Sequence, residues 1–415
     1  VIAASICFKF MYSDPDMMKD YMGALEDINS ETVEYVRGIQ VIKIFNMVVE
    51  SFERLYKSII RYSEVVNKEC QMRRRPYVIF QVCMLSLSAL IVPVAYIAMP
   101  KSPQASETIS LVVFFAAFSG LLMSAFMKVM FFSKNFEMAN DAISKLESLF
   151  DEMDKNKLAH GDVSDMTSHD IEFAGVTFRY EEGVDVLTDF SLKLESGKKY
   201  ALVGSSGSGK STIAKLISGF YPVSSGELKI GGVDISKYKR ETLEHEIAFV
   251  FQNAKLFKTS IYENVKIGRP DASREEVIKA LDLAMCGSIL DKFETREDTI
   301  IGAKGVHLSG GETQRIAIAR AILKDAPIII LDEASAASDP ENEYEMQQAF
   351  SKLMEGKTVI MIAHRLSSIR NVDEILVVED GKVTERGSHD ELMKKDSKYK
   401  NLQNLYNQAN EWRLS

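Results

Sequence analysis

The sequence predicts two fold classes in one chain. An all-α region with membrane-spanning helices, present only in part, is followed by an α/β domain built on a phosphate-binding P-loop. Three observations carry this reading. Residues 76–100 (25 residues) and 108–127 (20 residues) are free of charge, and a bilayer core needs about 20 apolar residues per helix. Residues 151–170 are polar and without apolar periodicity, as a linker is. Beyond them an apolar run at 199–203 leads into GSSGSGKST at 204–212 and then into helical spacing at 213–217. Strand, glycine loop and helix in that order form the context a P-loop requires.

The whole-chain average hides this division. The chain has 415 residues, enough for two or three domains, with charged residues at 26% and a net charge of −9. Its mean hydropathy is −0.06. The negative balance argues against a nucleic-acid partner. Cys7, Cys70, Cys83 and Cys286 form no CxxC pair and no metal spacing, so free thiols are expected. The chain begins with Val1 and carries no signal peptide, which reads as a piece of a longer protein.

Residues 1–150 are expected to hold the helical region. The uncharged piece 1–8 reads as the remainder of an earlier span. Val33, Val36, Ile39, Val41, Ile42, Ile44 and Phe45 recur at helical spacing, with Gly38 as a possible bend. Two readings stand for that face, a helix packed on its neighbours or one that touches another domain. The two uncharged runs predict spans over about 76–100 and 108–130. Only 101–107 separates them, so they form a hairpin. Arg73, Arg74 and Arg75 precede the first span, and Lys134 and Lys145 follow the second. Both outer ends are therefore expected on the cytoplasmic side.

From Ile171 the pattern alternates, Ile171-Glu-Phe173 and Val176-Thr-Phe178, as in a half-buried strand. In the loop that follows, Gly204, Gly207 and Gly209 permit backbone angles that turn successive N–H groups into one concavity. Ser205, Ser206 and Ser208 fill the turn. Lys210 is placed to reach β- and γ-phosphates, the Ser211 hydroxyl to ligate Mg²⁺, and Thr212 continues into the helix. A flexible glycine–serine linker is the competing reading, and Lys-Ser-Thr followed at once by a helix argues against it.

Other candidates lie at predicted strand ends. The apolar strand 328–331 delivers Asp332 and Glu333, a carboxylate for Mg²⁺ and one for a general base. Gln252 follows strand 247–251, and His364 follows strand 359–363. Leu308-Ser-Gly-Gly-Glu312 opens a helix predicted over 313–323, with Ser309 and Glu312 as a capping box and the Gly310 and Gly311 turn open to a phosphate. Tyr180 could stack on a base, although a lone tyrosine is more often core. The same holds for His364 as a structural residue. His160 and His169 receive no role.

Together these motifs resemble the ATP-binding cassette (ABC) family, and specifically transporters that fuse a membrane domain to the ATPase in an exporter-like fold. In that resemblance Tyr180 matches the adenine-stacking aromatic, 204–212 the Walker A loop and Gln252 the glutamine loop. Residues 308–312 match the signature motif and 328–333 Walker B with its catalytic glutamate. Asp339 matches the aspartate loop and His364 the switch histidine. Residues 34–45 look like the coupling region, about 30–46, that precedes the fifth and sixth spans. The resemblance implies an ABC ATPase domain over 171–415 with a helical tail, ATP and Mg²⁺, and a dimer. There Leu308, Ser309, Gly310, Gly311, Glu312 and Asp339 contact the ATP of the partner.

Departures are local. Glu312 stands where the family usually has glutamine, and Ile300 and Ala303 where exporters carry acidic residues. The wording at 335–343 and 253–265 is similar to a subgroup that includes siderophore–metal uptake transporters. The expectation is therefore one half of an ATP-driven transporter, multi-pass in the cell membrane with its ATPase in the cytoplasm. It is expected to export a small molecule, lipid or peptide, with chelate import or a non-catalytic ATP-binding subunit as alternatives. The partner is expected to be a second half-transporter, a copy of itself or, as the motif wording favours, a paralogue.

Overall fold

The computed structural model describes residues 15–45, 50–98, 105–155, 157–180, 183–302, 305–332, 340–363 and 369–414. It divides into two compact units, 1–147 and 148–415.

The first unit is helical. Helix α1 covers Pro15–Phe45, α2 Glu50–Ala98 and α3 Ala105–Lys155. Helices α1 and α2 pack together; the Tyr21 and Tyr62 hydroxyls lie 3.3 Å apart, and Arg61 Nη1 donates to Asp27 Oδ2 at 2.5 Å. Helix α1 runs unbroken through Gly38. Val33 and Val36 are exposed on it and Ile39 is half-buried; the side chains of Val41, Ile42, Ile44 and Phe45 lie outside the description. Helix α2 continues through Pro76 and Pro93, each of which removes one backbone donor. Among the described residues no helix is long and apolar enough to cross a membrane. Both uncharged runs include positions whose side chains lie outside the description. The segment 151–155, expected as linker, instead continues α3 to Lys155, because Asp, Glu, Met and Lys carry no helix-breaking signal.

The second unit is α/β. Its strands are β1 (Ile171–Arg179), β2 (Asp185–Leu194), β3 (Lys199–Val203), β4 (Ser225–Ile230), β5 (Val233–Asp234), β6 (Ile247–Val250), β7 (Ile328–Asp332), β8 (Thr358–Ile362), β9 (Glu374–Glu379) and β10 (Lys382–Gly387). Its helices are α4 (Lys210–Ile217), α5 (Arg240–Glu246), α6 (Ile261–Lys266), α7 (Arg274–Leu283), α8 (Gly287–Leu290), α9 (Gly310–Lys324), α10 (Pro340–Leu353), α11 (His389–Lys394) and α12 (Lys398–Leu414). An antiparallel sheet runs β2-β1-β4-β5, and a six-stranded sheet runs β10-β9-β3-β8-β7-β6. In the larger sheet β3 lies parallel to both β8 and β9, and β7 is parallel to β6 and β8.

The short apolar runs are explained by burial on both faces. Tyr200 and Leu202 of β3 join one core with Ile171, Phe173, Ile213 and Leu216. Ala201 and Val203, on the opposite face, join a second with Ile375, Val377 and Tyr399. On β7, Ile328 and Ile330 face the first core, while Ile329 and Leu331 face a third with Val277, Leu281, Ile316 and Phe350. A parallel strand covered on both sides has no polar face to alternate with, and each buried Val, Leu or Ile side chain contributes about 1.5–3 kcal/mol.

Candidate nucleotide-binding site

The phosphate loop leaves β3 at Val203 and enters α4 at Lys210. Gly204 has φ +148°, and a Cβ there would lie 2.1 Å from the Val378 carbonyl oxygen. Only glycine lets the loop pass this close to β9. Gly209, the N-cap of α4, has φ +101°, a left-handed angle that glycine adopts without strain. The loop is pinned from outside by the Gly381 amide, which donates to Ser208 O at 3.1 Å. Lys210 is buried at 5% exposure. Its Nζ donates to Gly204 O at 3.0 Å, to Ser205 O at 2.6 Å and to Ser208 Oγ at 3.2 Å. The ammonium thus lies inside the loop's own ring, beside the amino end of α4, where positive charge and helix dipole add. Ser211 is half-buried and Ser205, Ser206 and Gly207 are exposed.

Tyr180 follows β1 and is exposed at 45%. Its hydroxyl lies 3.2 Å from Thr212 Oγ1, which ties it to the first turn of α4. Phe178 and Tyr221 hold the ring edge-on, with centroids 4.9 and 5.3 Å away. Lys215 Nζ sits 5.6 Å from its centroid. The ring is held in position yet keeps exposed surface, as a stacking platform needs.

The strand ends bring Asp332 and Gln252 to one edge. Leu202 pairs with Ile362, and Ile362 with Asp332. The three residues therefore form one row across β3, β8 and β7, with neighbours about 4.8 Å apart. In open parallel sheets ligands bind at the carboxyl ends of the strands, and this row marks that end. Asp332 is half-buried. Gln252, two residues beyond β6, is exposed. Gln252 and Asp332 line the same cleft of about 720 Å³, with Phe249, Phe251, Arg320 and Lys324. Burial lowers the pKa of both Arg320 and Lys324; Lys324 Nζ donates to Ile247 O at 2.7 Å. A hydroxyl at Ser211, a carboxylate at Asp332 and an amide oxygen at Gln252 are hard donors that fit Mg²⁺. Glu333, Asp339 and His364 lie outside the described residues.

Residues 308–312 open α9. Leu308 packs against the core that contains Ile316 and Leu331, while Ser309 and Gly310 are exposed and Gly311 is half-buried. The capping box is formed. Ser309 Oγ accepts from Glu312 N at 3.3 Å, and Glu312 Oε2 accepts from Ser309 N at 2.7 Å. The helix begins at Gly310, three residues before the start expected from the sequence. Glycine disfavours helix, but the box fixes the N-cap at Ser309, so both glycines fall in the first turn.

Two residues the sequence reading omitted complete this region. Lys292 Nζ donates to Glu312 Oε1 at 2.5 Å. Burial pushes the Glu312 carboxyl up, but Lys292 and the Ser309 hydrogen bonds outweigh it and hold it below the usual carboxylate range. Arg315, at 1% exposure, ties α9 to its surroundings. Nη1 donates to Met285 O at 2.8 Å, to Ser288 Oγ at 3.2 Å and to Glu345 Oε2, and Nη2 to Asn342 Oδ1 at 2.9 Å. A lone lysine 20 residues from its partner gives no sequence signal. Nor does Arg315, whose partner Glu345 lies 30 residues on. His169, given no role, pairs with Glu246 at 2.9 Å and joins the segment before β1 to α5.

The family profile described as "ABC transporter" matches residues 187–336. A putative multidrug export ATP-binding/permease protein of Bacillus subtilis is 45% identical over 238 residues, 57% of this chain and 41% of the relative. An ATP-dependent lipid A-core flippase of Neisseria meningitidis is 35% identical over 404 residues, 94% of this chain and 62% of the relative. The chain thus spans less than two thirds of the length of either. The solved structure of a bacterial Atm1-family ABC exporter with ATP bound superposes with a TM-score of 0.70 at 26% identity, covering 96% of this chain and 70% of that one. A helical region followed by an α/β domain, and the phosphate loop within the matched segment, agree: residues 187–336 carry the ATPase domain of ABC transporters, and the chain is similar to ABC exporters along most of its length.

Proposed function

We propose that this chain is part of one half of an ATP-driven membrane exporter that works as a dimer. The observation that carries the ATPase reading is the shared sheet edge, where the phosphate loop after β3 and Asp332 at the end of β7 leave the sheet together. The relatives' names, a multidrug exporter and a lipid A-core flippase, support export. Residues 76–100 and 108–130 are proposed as membrane spans, 30–46 as the coupling region and 171–415 as the cytoplasmic ATPase.

In this reading Tyr180 stacks on adenine, and the amides of the 204–212 loop with Lys210 bind the β- and γ-phosphates. Ser211, Asp332 and Gln252 would hold Mg²⁺, which supplies charge neutralisation when bound. Glu333 takes a proton from water as its oxygen attacks the γ-phosphorus, and the bond to the β–γ bridging oxygen breaks to release ADP. His364 donates to the γ-phosphate oxygens. Leu308, Ser309, Gly310, Gly311, Glu312 and Asp339 contact the ATP of a second half-transporter.

The test is ATP hydrolysis by the purified full-length protein in lipid vesicles. Loss of a general base lowers the rate about 10²–10⁴-fold, so Glu333→Gln is expected to fall in that range. An unchanged rate would reject catalysis at Glu333 and favour a non-catalytic ATP-binding subunit. The wording at 335–343 (SAASDPENE) favours a second reading, import of a metal chelate. A strain lacking the gene, grown on a ferric siderophore as its iron source, separates the two. Growth failure restored by wild type but not by Glu333→Gln supports import, and normal growth supports export.

A further inference from the structure

Glu312 introduces a formal negative charge where α9 begins. That turn is the one proposed above to receive the γ-phosphate of a partner's ATP. A carboxylate there is well suited to capping, because Oε2 accepts the Ser309 amide at 2.7 Å. It is poorly suited to an incoming polyanion, because like charges repel most where little water screens them. Glu312 is 7% exposed, so water screens it weakly. An amide side chain would cap the same N–H without the charge.

The chain supplies the missing positive charge from a different segment. Lys292 Nζ reaches Glu312 Oε1 at 2.5 Å, while its own side chain stays 57% exposed. The lysine is set in place by its backbone. Its N–H donates to Ile289 O at 3.3 Å, the next N–H, of Phe293, donates to Leu290 O at 3.1 Å, and Ile289 and Leu290 are buried. The ammonium is therefore delivered from a short anchored turn.

We propose that Lys292 is a positioning residue for ATP use: by pairing with Glu312 it cancels the carboxylate's charge, so that the turn at Ser309–Gly311 can accept a nucleotide phosphate. The inference rests on the ATPase reading above and adds to it. Glu312 and Lys292 together do what one neutral amide would do alone. The competing account is a brace that merely fastens the turn after α8 onto α9.

A double-mutant cycle distinguishes them. ATP hydrolysis by the full-length protein in lipid vesicles is measured against ATP concentration for wild type, Lys292→Met, Glu312→Gln and the combined variant, with Lys292→Arg as the charge-conserving control. Lys292→Met is expected to raise KM for ATP about tenfold, the repulsion left by one unpaired carboxylate, with kcat within about twofold. Lys292→Arg should keep KM within about twofold of wild type. In the Glu312→Gln background, Lys292→Met should shift KM less than about twofold. An equal shift in both backgrounds overturns the proposal in favour of a brace. No shift in either, with wild type hydrolysing ATP, overturns it outright. Absence of hydrolysis by wild type overturns the ATPase reading and this inference with it. Should Lys292→Met fail to fold, Lys292→Gln in the same two backgrounds gives the same readout.

Discussion

Replacing Arg315 with methionine removes the guanidinium that joins α9 to α10 and to the turn after α7, and keeps a long apolar side chain. Nη1 donates to Met285 O, Ser288 Oγ and Glu345 Oε2, and Nη2 to Asn342 Oδ1. Breaking a buried ion pair from one side costs about 3–5 kcal/mol. The Glu345 side chain is 25% exposed, so it regains some hydration and the pair's share falls below that range. The Met285 carbonyl adds about 1–3 kcal/mol as an acceptor left without this donor. Against these stands a gain of about 1 kcal/mol, because Arg315 Nε is buried without a hydrogen-bond partner among the described residues and disappears with the substitution. The balance is about 3 kcal/mol. For a domain of this size that is a fall of about 6–12 °C in melting temperature. The assay is thermal unfolding of the purified full-length protein, followed by circular dichroism. Removing the stranded carboxylate as well, in Arg315→Met with Glu345→Leu, should recover at least about a third of the loss. Melting of Arg315→Met within 1 °C of wild type would refute the reasoning, and so would a double variant no better than the single.

Gly204→Ala places a Cβ 2.1 Å from Val378 O at φ +148°, so nucleotide binding should fall at least about tenfold, measured with a fluorescent ATP analogue. Gly232→Ala, at φ +79° with nothing within 4 Å, costs only the backbone strain of about 1–2 kcal/mol and should bind normally. Tyr180→Ala should weaken ATP binding about 5- to 150-fold, the range of one base stacked on an aromatic ring. Tyr180→Phe, which loses only the contact with Thr212 Oγ1, should stay within about fivefold in the same titration. Burial pushes the Cys286 thiol up to about 12, so at pH 8 only about one part in ten thousand is thiolate, the reactive form. In a variant that retains Cys286 alone, a maleimide should label it only after denaturant is added, and labelling of the native protein within minutes would contradict this.

How much could be read from the sequence depended on the range of the interaction. Strand β3 and the start of α4 were legible because Lys199–Val203 and GSSGSGKST carry their own geometry within a few residues. The Ser309–Glu312 box was legible for the same reason. The helix predicted over 313–323 starts at Gly310, because the same box makes Ser309 the N-cap and places both glycines in the first turn. Residues 151–155 were read as linker because their polarity was taken for irregularity, yet a polar sequence without Gly or Pro extends a helix readily. Lys292 and Arg315 were not legible. Their partners lie 20 and 30 residues away, and no local pattern announces a pairing set by how α8, α9 and α10 close on one another.

The order of strands in the larger sheet has a consequence for synthesis. Strand β3, which launches the phosphate loop, lies between β8 and β9 and pairs with both. A ribosome that has just made Thr212 has polymerised every residue of the loop, yet neither neighbour of β3 exists until residues 358–379 have followed. At about 5–20 residues per second the apolar strand waits roughly seven to thirty seconds without its sheet. During that interval Lys199–Val203 is an unpaired hydrophobic edge of the kind chaperones recognise. A ribosome stalled near residue 350 would therefore hold a chain whose loop sequence is complete but whose scaffold is missing. Such a chain should be unable to retain nucleotide.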